Sequence, residues 1–344
     1  MRSLRHIAGC AAAAALLLAG CGGSSDSSEP AEGGNDSTAS AQYPITIEHA
    51  LGTTTIDKAP ERVATVNWAN HEVPLALGVV PVGMAAANFG DDDGDGLLPW
   101  VDDKLKELGG EAPVLFDETD GIDFEAVADT APDVILASYS GLTKEDYETL
   151  SEIAPVVAYP EAAWSTDWRE MIELNSTAMG KAAEGEKLIA DLEDEIEATV
   201  AKTPALTDKS AMFLTHVDTT DLSQVSFYTT HDTRAKFFAD LGLKTPESIA
   251  AASEKTDKFS LTQSAEQVDA LDDVDVIVTY GDQKLVDALK ADPLLSKMPA
   301  VENGAIVLLP DTPLGTAANP TPLSISYVLD DYVDMLAKAA AGPQ

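Results

Sequence analysis

Short apolar runs alternate with stretches of helical spacing along most of this chain, and the alternation is interrupted once, near the middle, by a single long helix. Runs at Val63 to Val66, Val79 to Val82, Val134 to Ala137 and Val156 to Ala158 are separated by helical spacing, and the pattern returns at Ala211 to Val217, Val274 to Thr279 and Ala305 to Leu309. Strand and helix in alternation predict an α/β fold. Between the two series, residues 181 to about 201 set Leu188, Ile189, Leu192, Ile196 and Val200 on one helical stripe, with most acids elsewhere. Gly180 before it and Pro204 after it suit a helix start and stop. The expectation is two α/β lobes, residues 43–180 and 203–344, joined by one connecting helix over 181–202. A rigid helical joint leaves a cleft that moves little, and the cleft is the default ligand site. A hairpin leads the first lobe: Ile45 and Ile47 alternate with polar residues, Gly52 turns the chain, and Thr54 to Ile56 returns.

Ahead of this body lies a processing pattern. Arg2 and Arg5 precede an apolar run from Ile7 to Leu18, and Leu18-Ala19-Gly20-Cys21 resembles a bacterial lipobox. The resemblance implies a signal peptide over residues 1–20, removed before a lipidated Cys21 that anchors the protein outside the membrane. The apolar run is short of the roughly 20 residues a spanning helix needs. Residues 21–42 are Gly, Ser, Asp, Glu and Asn with little to bury, and a flexible coil of that length spans about 25 Å, enough for a tether. Cys10 and Cys21 are the only cysteines, so on this reading no disulfide forms and the fold rests on core burial. The formal charge of −38 becomes −40 once the two arginines are removed, which excludes nucleic acid as a partner. Such a surface aids solubility and steers cationic partners.

The two halves share a feature. Asn70-His71-Glu72 runs into a helix ending Leu77-Gly78-Val79, and Thr230-His231-Asp232 runs into one ending Leu241-Gly242-Leu243. An acid in the first turn complements the helix dipole. A matched pair on two lobes also suits a second role: Glu72 and Asp232 as projecting acids that dock on basic sockets of a two-fold partner.

Several stretches together resemble a known family. They are Pro60-Glu61-Arg62-Val63, Trp68-Ala69-Asn70-His71-Glu72 and Leu77 to Gly83; then Phe124-Glu125-Ala126-Val127, Pro132-Asp133-Val134-Ile135-Leu136 and Ile153-Ala154-Pro155-Val156-Val157. In the second half Asp273 to Ile277, Pro293-Leu294 and Met298-Pro299-Ala300-Val301 continue it. In this order they resemble the substrate-binding lipoproteins of ABC importers for iron siderophores, haem and cobalamin. The resemblance implies a two-lobed, helix-joined fold, a monomer with no catalytic activity and no cofactor, a ferric siderophore in the cleft, and delivery to a permease dimer with its ATPase. It also implies one docking acid per lobe, at the positions of Glu72 and Asp232.

The resemblance also implies that residues following the strands line the cleft: Trp68, Asn70, Tyr139, Trp164, Tyr228 and Tyr280, with Arg169 as a cation that could face a chelate. Aromatics are only 6% of the chain, so their concentration in such loops is informative, although each could equally serve the core. A neutral or cationic hydroxamate-type chelate fits the acidic protein. Haem and cobalamin remain alternatives within the family. A free-metal binder would need His49, His71, His216 and His231 to converge. A metal-dependent hydrolase would rest on His216 with Asp218, without any recognised catalytic motif. Asp91, Asp93, Asp95 and Asp102, with Gly96, follow the spacing of a calcium loop in part; Pro99 and the short Asp102 favour a solvated acidic loop instead.

Overall fold

The alternation of Ile45 and Ile47 with polar residues produces the leading hairpin, in which β1 (Ile45–His49) pairs antiparallel with β2 (Gly52–Ile56). The protein is described as a computed structural model covering residues 41–342. The signal peptide, the lipidation at Cys21 and nearly all of the tether lie outside the described residues.

The first lobe is built on five short parallel strands. In chain order, β3 (Val63–Thr65) leads through α1 (Glu72–Ala76) to β4 (Gly83–Ala85), and α2 (Pro99–Leu108) leads to β5 (Val114–Phe116). Then α3 (Phe124–Asp129) precedes β6 (Val134–Leu136), and α4 (Lys144–Ser151) precedes β7 (Val156–Val157). The sheet order is β5-β4-β3-β6-β7. Strand residues such as Val63, Val134, Ile135 and Leu136 are buried throughout, as expected of a parallel sheet covered on both faces. The run at Val79 to Val82 pairs later than expected. Pro81 has no N–H to give a ladder, and β4 begins only at Gly83. Its Gly is required: a Cβ there would lie 2.2 Å from the Phe116 ring.

Next come α5 (Trp168–Ala178) and the long α6 (Ala182–Val200), the predicted connecting helix. Gly180 closes α5 rather than opening α6. At φ 70 it lets Lys181 N–H reach Ser176 O at 2.8 Å and its own N–H reach Thr177 O at 2.9 Å.

The second lobe opens with β8 (Ala211–Phe213), and β9 (Gln224–Tyr228) follows before α7 (Thr233–Asp240) and α8 (Glu247–Ser253). Strand β10 (Ser260–Ser264) returns to pair antiparallel with β9. A 3-10 helix over Ala265–Leu271 leads into β11 (Val276–Tyr280), followed by α9 (Gln283–Ala291), α10 (Pro299–Glu302) and β12 (Ile306–Leu309). Helices α11 (Pro313–Ala317) and α12 (Ser324–Ala340) end the chain. The central sheet is parallel, in the order β12-β11-β8.

Helix α12 packs along α6, and one apolar cluster runs from Val63 and Leu136 through Ile172, Leu192 and Ile196 to Phe213, Val278 and Tyr332. The lobes therefore share a core instead of meeting at a flexible linker. Smaller clusters around Ile135 and around Ile277 belong to one lobe each.

Candidate ligand-binding cleft

The cleft follows from the two parallel sheets. Loops that leave the carboxyl ends of the strands converge between the lobes, where ligands of open α/β sheets bind. Trp68 follows β3, Asn88 and Phe89 follow β4, Tyr139 follows β6, and Trp164 lies in the loop after β7. From the other lobe His216 follows β8, Arg234 begins α7 after β9, Tyr280 ends β11, and Thr316 and Asn319 follow β12. Together these ten line one pocket of about 270 Å3.

The wall is mainly aromatic. Trp164 meets Tyr139 edge-on at 5.4 Å, Phe89 meets Tyr280 edge-on at 5.7 Å, and His216 stacks on Tyr280 at 4.7 Å. The backbone around both tryptophans is in the left-handed region: Asn67, Ala69 and Trp164 have φ of 59, 61 and 61. Non-glycine residues persist there only when their surroundings over-determine them. Asn67 donates from its backbone N–H and side-chain amide to Glu118 and accepts from Gly141 N–H at 3.1 Å, while Trp164 N–H donates to Ser140 O at 3.0 Å. Gly141 lies against the Trp164 indole; a Cβ there would come within 2.3 Å of Nε1.

The polar groups are few and fixed. Arg234 donates from Nε and Nη2 to the two Asp232 oxygens at 2.8 and 2.7 Å, with its guanidinium carbon 3.8 Å from the Tyr228 ring centre. Burial pushes the Tyr139 phenol up to about 12 and raises Tyr280. Both are therefore neutral hydroxyls near pH 7. Asn319 Nδ2 donates to the Tyr139 hydroxyl at 3.4 Å, while Asn319 Oδ1 and Thr316 Oγ1 are buried without a protein partner. Acceptors left open in a pocket wall suit a polar ligand.

Trp68, Tyr139, Trp164 and Tyr280 thus meet in the cleft, and the other expected contacts lie elsewhere. Asn70 is fully buried; its amide donates to Val66 O and Tyr139 O, and its Oδ1 accepts from Tyr139 N–H, so it ties two loops together. Tyr228 lies under Arg234 and not on the lining. Arg169 faces away, forming a two-bond pair with Asp240 at 3.0 Å and bonding Glu193, which clips α5 to α7 and α6.

The docking role expected of Glu72 and Asp232 does not fit their burial. Glu72 is 1% exposed and Asp232 0%. Glu72 accepts from Trp100 Nε1 at 2.7 Å and from Leu323 N–H at 2.8 Å, so it caps α12 of the other lobe; burial raises its pKa. Asp232 caps α7 and holds Arg234. Neither can project toward a partner.

The metal readings fare similarly. Oxygens of Asp91, Asp93 and Asp95 gather within 4.8 Å of one another, but Asp91 is engaged by Gly94 and Gly96 N–H, and Asp102 sits in α2 paired with Lys106. His49 bonds Thr54, His231 bonds Ser253 O and Thr256 O, and His71 and His216 line two different pockets, so the four do not converge. Asp218 bonds Thr220 and is not paired with His216.

Asn88, Phe89, Thr316 and Asn319 are lining residues that strand-end reasoning passed over. Asn88-Phe89 follows β4 by the same rule that selected Trp68. Thr316 and Asn319 follow β12, the strand read at Ala305 to Leu309.

Two sheets presenting their carboxyl edges to one cleft, across a helical joint, make the two-lobed architecture of a solute-binding protein. The chain belongs to the periplasmic binding protein family, whose sequence pattern matches residues 63–313. It is 46% identical to PiaA of Streptococcus pneumoniae, solved in complex with ferrichrome, with a TM-score of 0.83 over 87% of this chain and 100% of that one. It is also 26% identical, over 87% of its length and 90% of the relative's, to YfiY of Bacillus subtilis, named a probable siderophore-binding lipoprotein. To the ferric enterobactin-binding periplasmic protein FepB of Escherichia coli it is 25% identical, covering 78% of this chain and 81% of FepB.

Proposed function

We propose that this protein is the lipid-anchored, extracytoplasmic binding component of an ABC importer, that it captures a ferric siderophore in the interlobe cleft without catalysing a reaction, and that it passes the chelate to a membrane permease. The observation that carries this is the pocket itself: five aromatic rings, two neutral phenols and one pre-positioned guanidinium around about 270 Å3. Binding free ferric ion would call for ionised phenolates or carboxylates on the lining. Here, among the described residues, no carboxylate stands on the lining and burial disfavours ionising the phenols, which suits an iron already wrapped in its chelate. The relatives named for siderophores support the same substrate class, and among the described residues no helix is long and apolar enough to cross a membrane. Anchoring would fall to Cys21.

Docking needs exposed acids. Glu125 in the first turn of α3 and Glu266 in the 3-10 helix before β11 are exposed, and each precedes a strand that lies inside its lobe's sheet. The local sequences also correspond, Glu125-Ala126-Val127 with Glu266-Gln267-Val268. We assign the permease contacts to this pair. Uptake of radiolabelled iron chelate by cells carrying E125R and E266R together should be lost while ligand affinity is unchanged; normal uptake removes the assignment.

The substrate is tested by fluorescence titration of the chain from Gly22 onward. Two of its four tryptophans, Trp68 and Trp164, line the cleft. A bound ferric chelate should quench close to half of the emission, at submicromolar concentration. Binding of haem, cobalamin or zinc with no response to ferric siderophores would overturn the reading.

A further inference from the structure

Among the lining residues Arg234 is the only side chain with a permanent charge, yet that charge is cancelled within the wall. Asp232 is fully buried, takes both Nε and Nη2 of the guanidinium, and leaves only Nη1 outside the pair. The Tyr228 ring covers one face of the same group. The remaining lining groups are the hydroxyls and amides of Tyr139, Tyr280, Thr316, Asn88 and Asn319, the aromatic faces, and the His216 imidazole. A ligand entering this pocket therefore meets hydrogen-bond donors and acceptors with almost no net positive field. Moving a polyanion from water into such a site loses solvation without a counter-charge to replace it.

We propose that Asp232 is a specificity-determining residue: by neutralising Arg234 inside the wall it restricts the cleft to ferric chelates without net negative charge and excludes polyanionic ones. This rests on the reading of the cleft as a ferric-chelate site. Asp232 acts through Arg234 and touches no ligand, so its signature is a change in charge selectivity and not a uniform loss of affinity. The formal charge of −38 on the whole chain acts in the same direction at long range, but salt screens that effect and leaves a buried pair nearly untouched.

The test uses the chain from Gly22 onward at pH 8, above the ordinary imidazole range. Three probes are titrated by tryptophan quenching: uncharged ferrichrome, monocationic ferrioxamine B and trianionic ferric enterobactin. The wild type should bind the first two and take ferric enterobactin at least about a hundredfold more weakly. In D232N the amide can still cap α7, but Arg234 gains its full charge. The ratio of anionic to neutral affinity should rise tenfold or more, and the rise should persist in 0.5 M NaCl. The double variant D232N/R234Q removes both charges, stays neutral like the wild type, and should keep the wild-type ratio within about threefold; it serves as the test if D232N folds poorly. Wild-type binding of ferric enterobactin within tenfold of ferrichrome overturns the proposal and leaves the siderophore reading standing. So does an unchanged ratio in a folded D232N, or a tenfold lower ratio in the double variant, which would show Arg234 acting as a free cation. Silence toward all three probes removes the siderophore reading itself, and this inference with it.

Discussion

Trp164 shows how a single residue of the cleft is set in place. Its φ of 61 is costly for a large side chain, of order 1–3 kcal/mol. The position is kept by the backbone bond to Ser140 and by the flat surface that Gly141 offers the indole. In Gly141→Ala the new methyl carbon would fall 2.3 Å from Nε1, so the ring must move out of its place against Tyr139. The expected outcome is a folded protein with circular dichroism like the wild type and a chelate affinity at least about tenfold weaker. Wild-type affinity in that variant would show that Trp164 takes no part in binding. The neutral phenols make a second expectation at this scale. Burial pushes Tyr139 up to about 12 and raises Tyr280, which disfavours the phenolate that would have to replace a chelate oxygen on iron. The visible spectrum of a bound ferric hydroxamate should match that of the free chelate, and a new tyrosinate-to-iron band would count against an intact chelate.

Between elements, the contact with most consequence is the one that Glu72 makes across the lobes. Its carboxylate receives N–H groups at the start of α12 and the indole N–H of Trp100 of α2, so one side chain fixes three elements. In Glu72→Gln an amide N–H2 must face a donor, at a cost of about 1–3 kcal/mol. The pH dependence has a definite sign. Burial raises the folded-state pKa above the unfolded value near 4.5, so folding favours the protonated form. The stability this contributes is full below the unfolded pKa and is lost as pH rises through the folded one. Urea unfolding should therefore show the gap between wild type and E72Q widening from pH 8 to pH 5; a gap that does not change with pH would mean the carboxyl is not shifted. Glu72 also marks the limit of what the sequence tells. The acid at a helix start was legible, because capping is local, whereas its partners Leu323 and Ser324 lie 251 and 252 residues further along the chain and nothing nearby points to them. The same division holds elsewhere. Runs such as Val134 to Ala137 and the stripe of α6 read directly as a strand and a helix. Strand β5 was missed, since Val114 is 49% exposed and Val114–Phe116 is only three residues long. Trp68, Tyr139, Trp164 and Tyr280 were found through the rule for strand ends, but that rule cannot tell a residue that faces the cleft from one beneath it, which is why Tyr228 was grouped with them.

For the molecule as a whole, the dominant electrostatic fact is 59 acids against 21 lysines and arginines. The ion pairs are mostly exposed and worth little each, as with Lys144–Glu148 and Lys187–Asp191. Net self-repulsion therefore weighs against the compact state. Salt has two opposed effects: it screens these few attractive pairs and also the far more numerous repulsions. Repulsion should win, so the melting temperature should climb by several degrees between 10 and 500 mM NaCl. Lowering the pH from 8 to 5 should act in the same direction, because the raised pKa values of Glu72, Glu118 and Glu170 each make the folded state the better proton acceptor. The gain should reverse on further acidification, as carboxylates held below their ordinary range, such as Asp275 beside Ser210 and Lys209, become protonated. Scanning calorimetry across both series is the measurement. A melting temperature that falls with added NaCl would mean that the attractive pairs outweigh the repulsions, and that the acidic surface is not a net burden on the folded state.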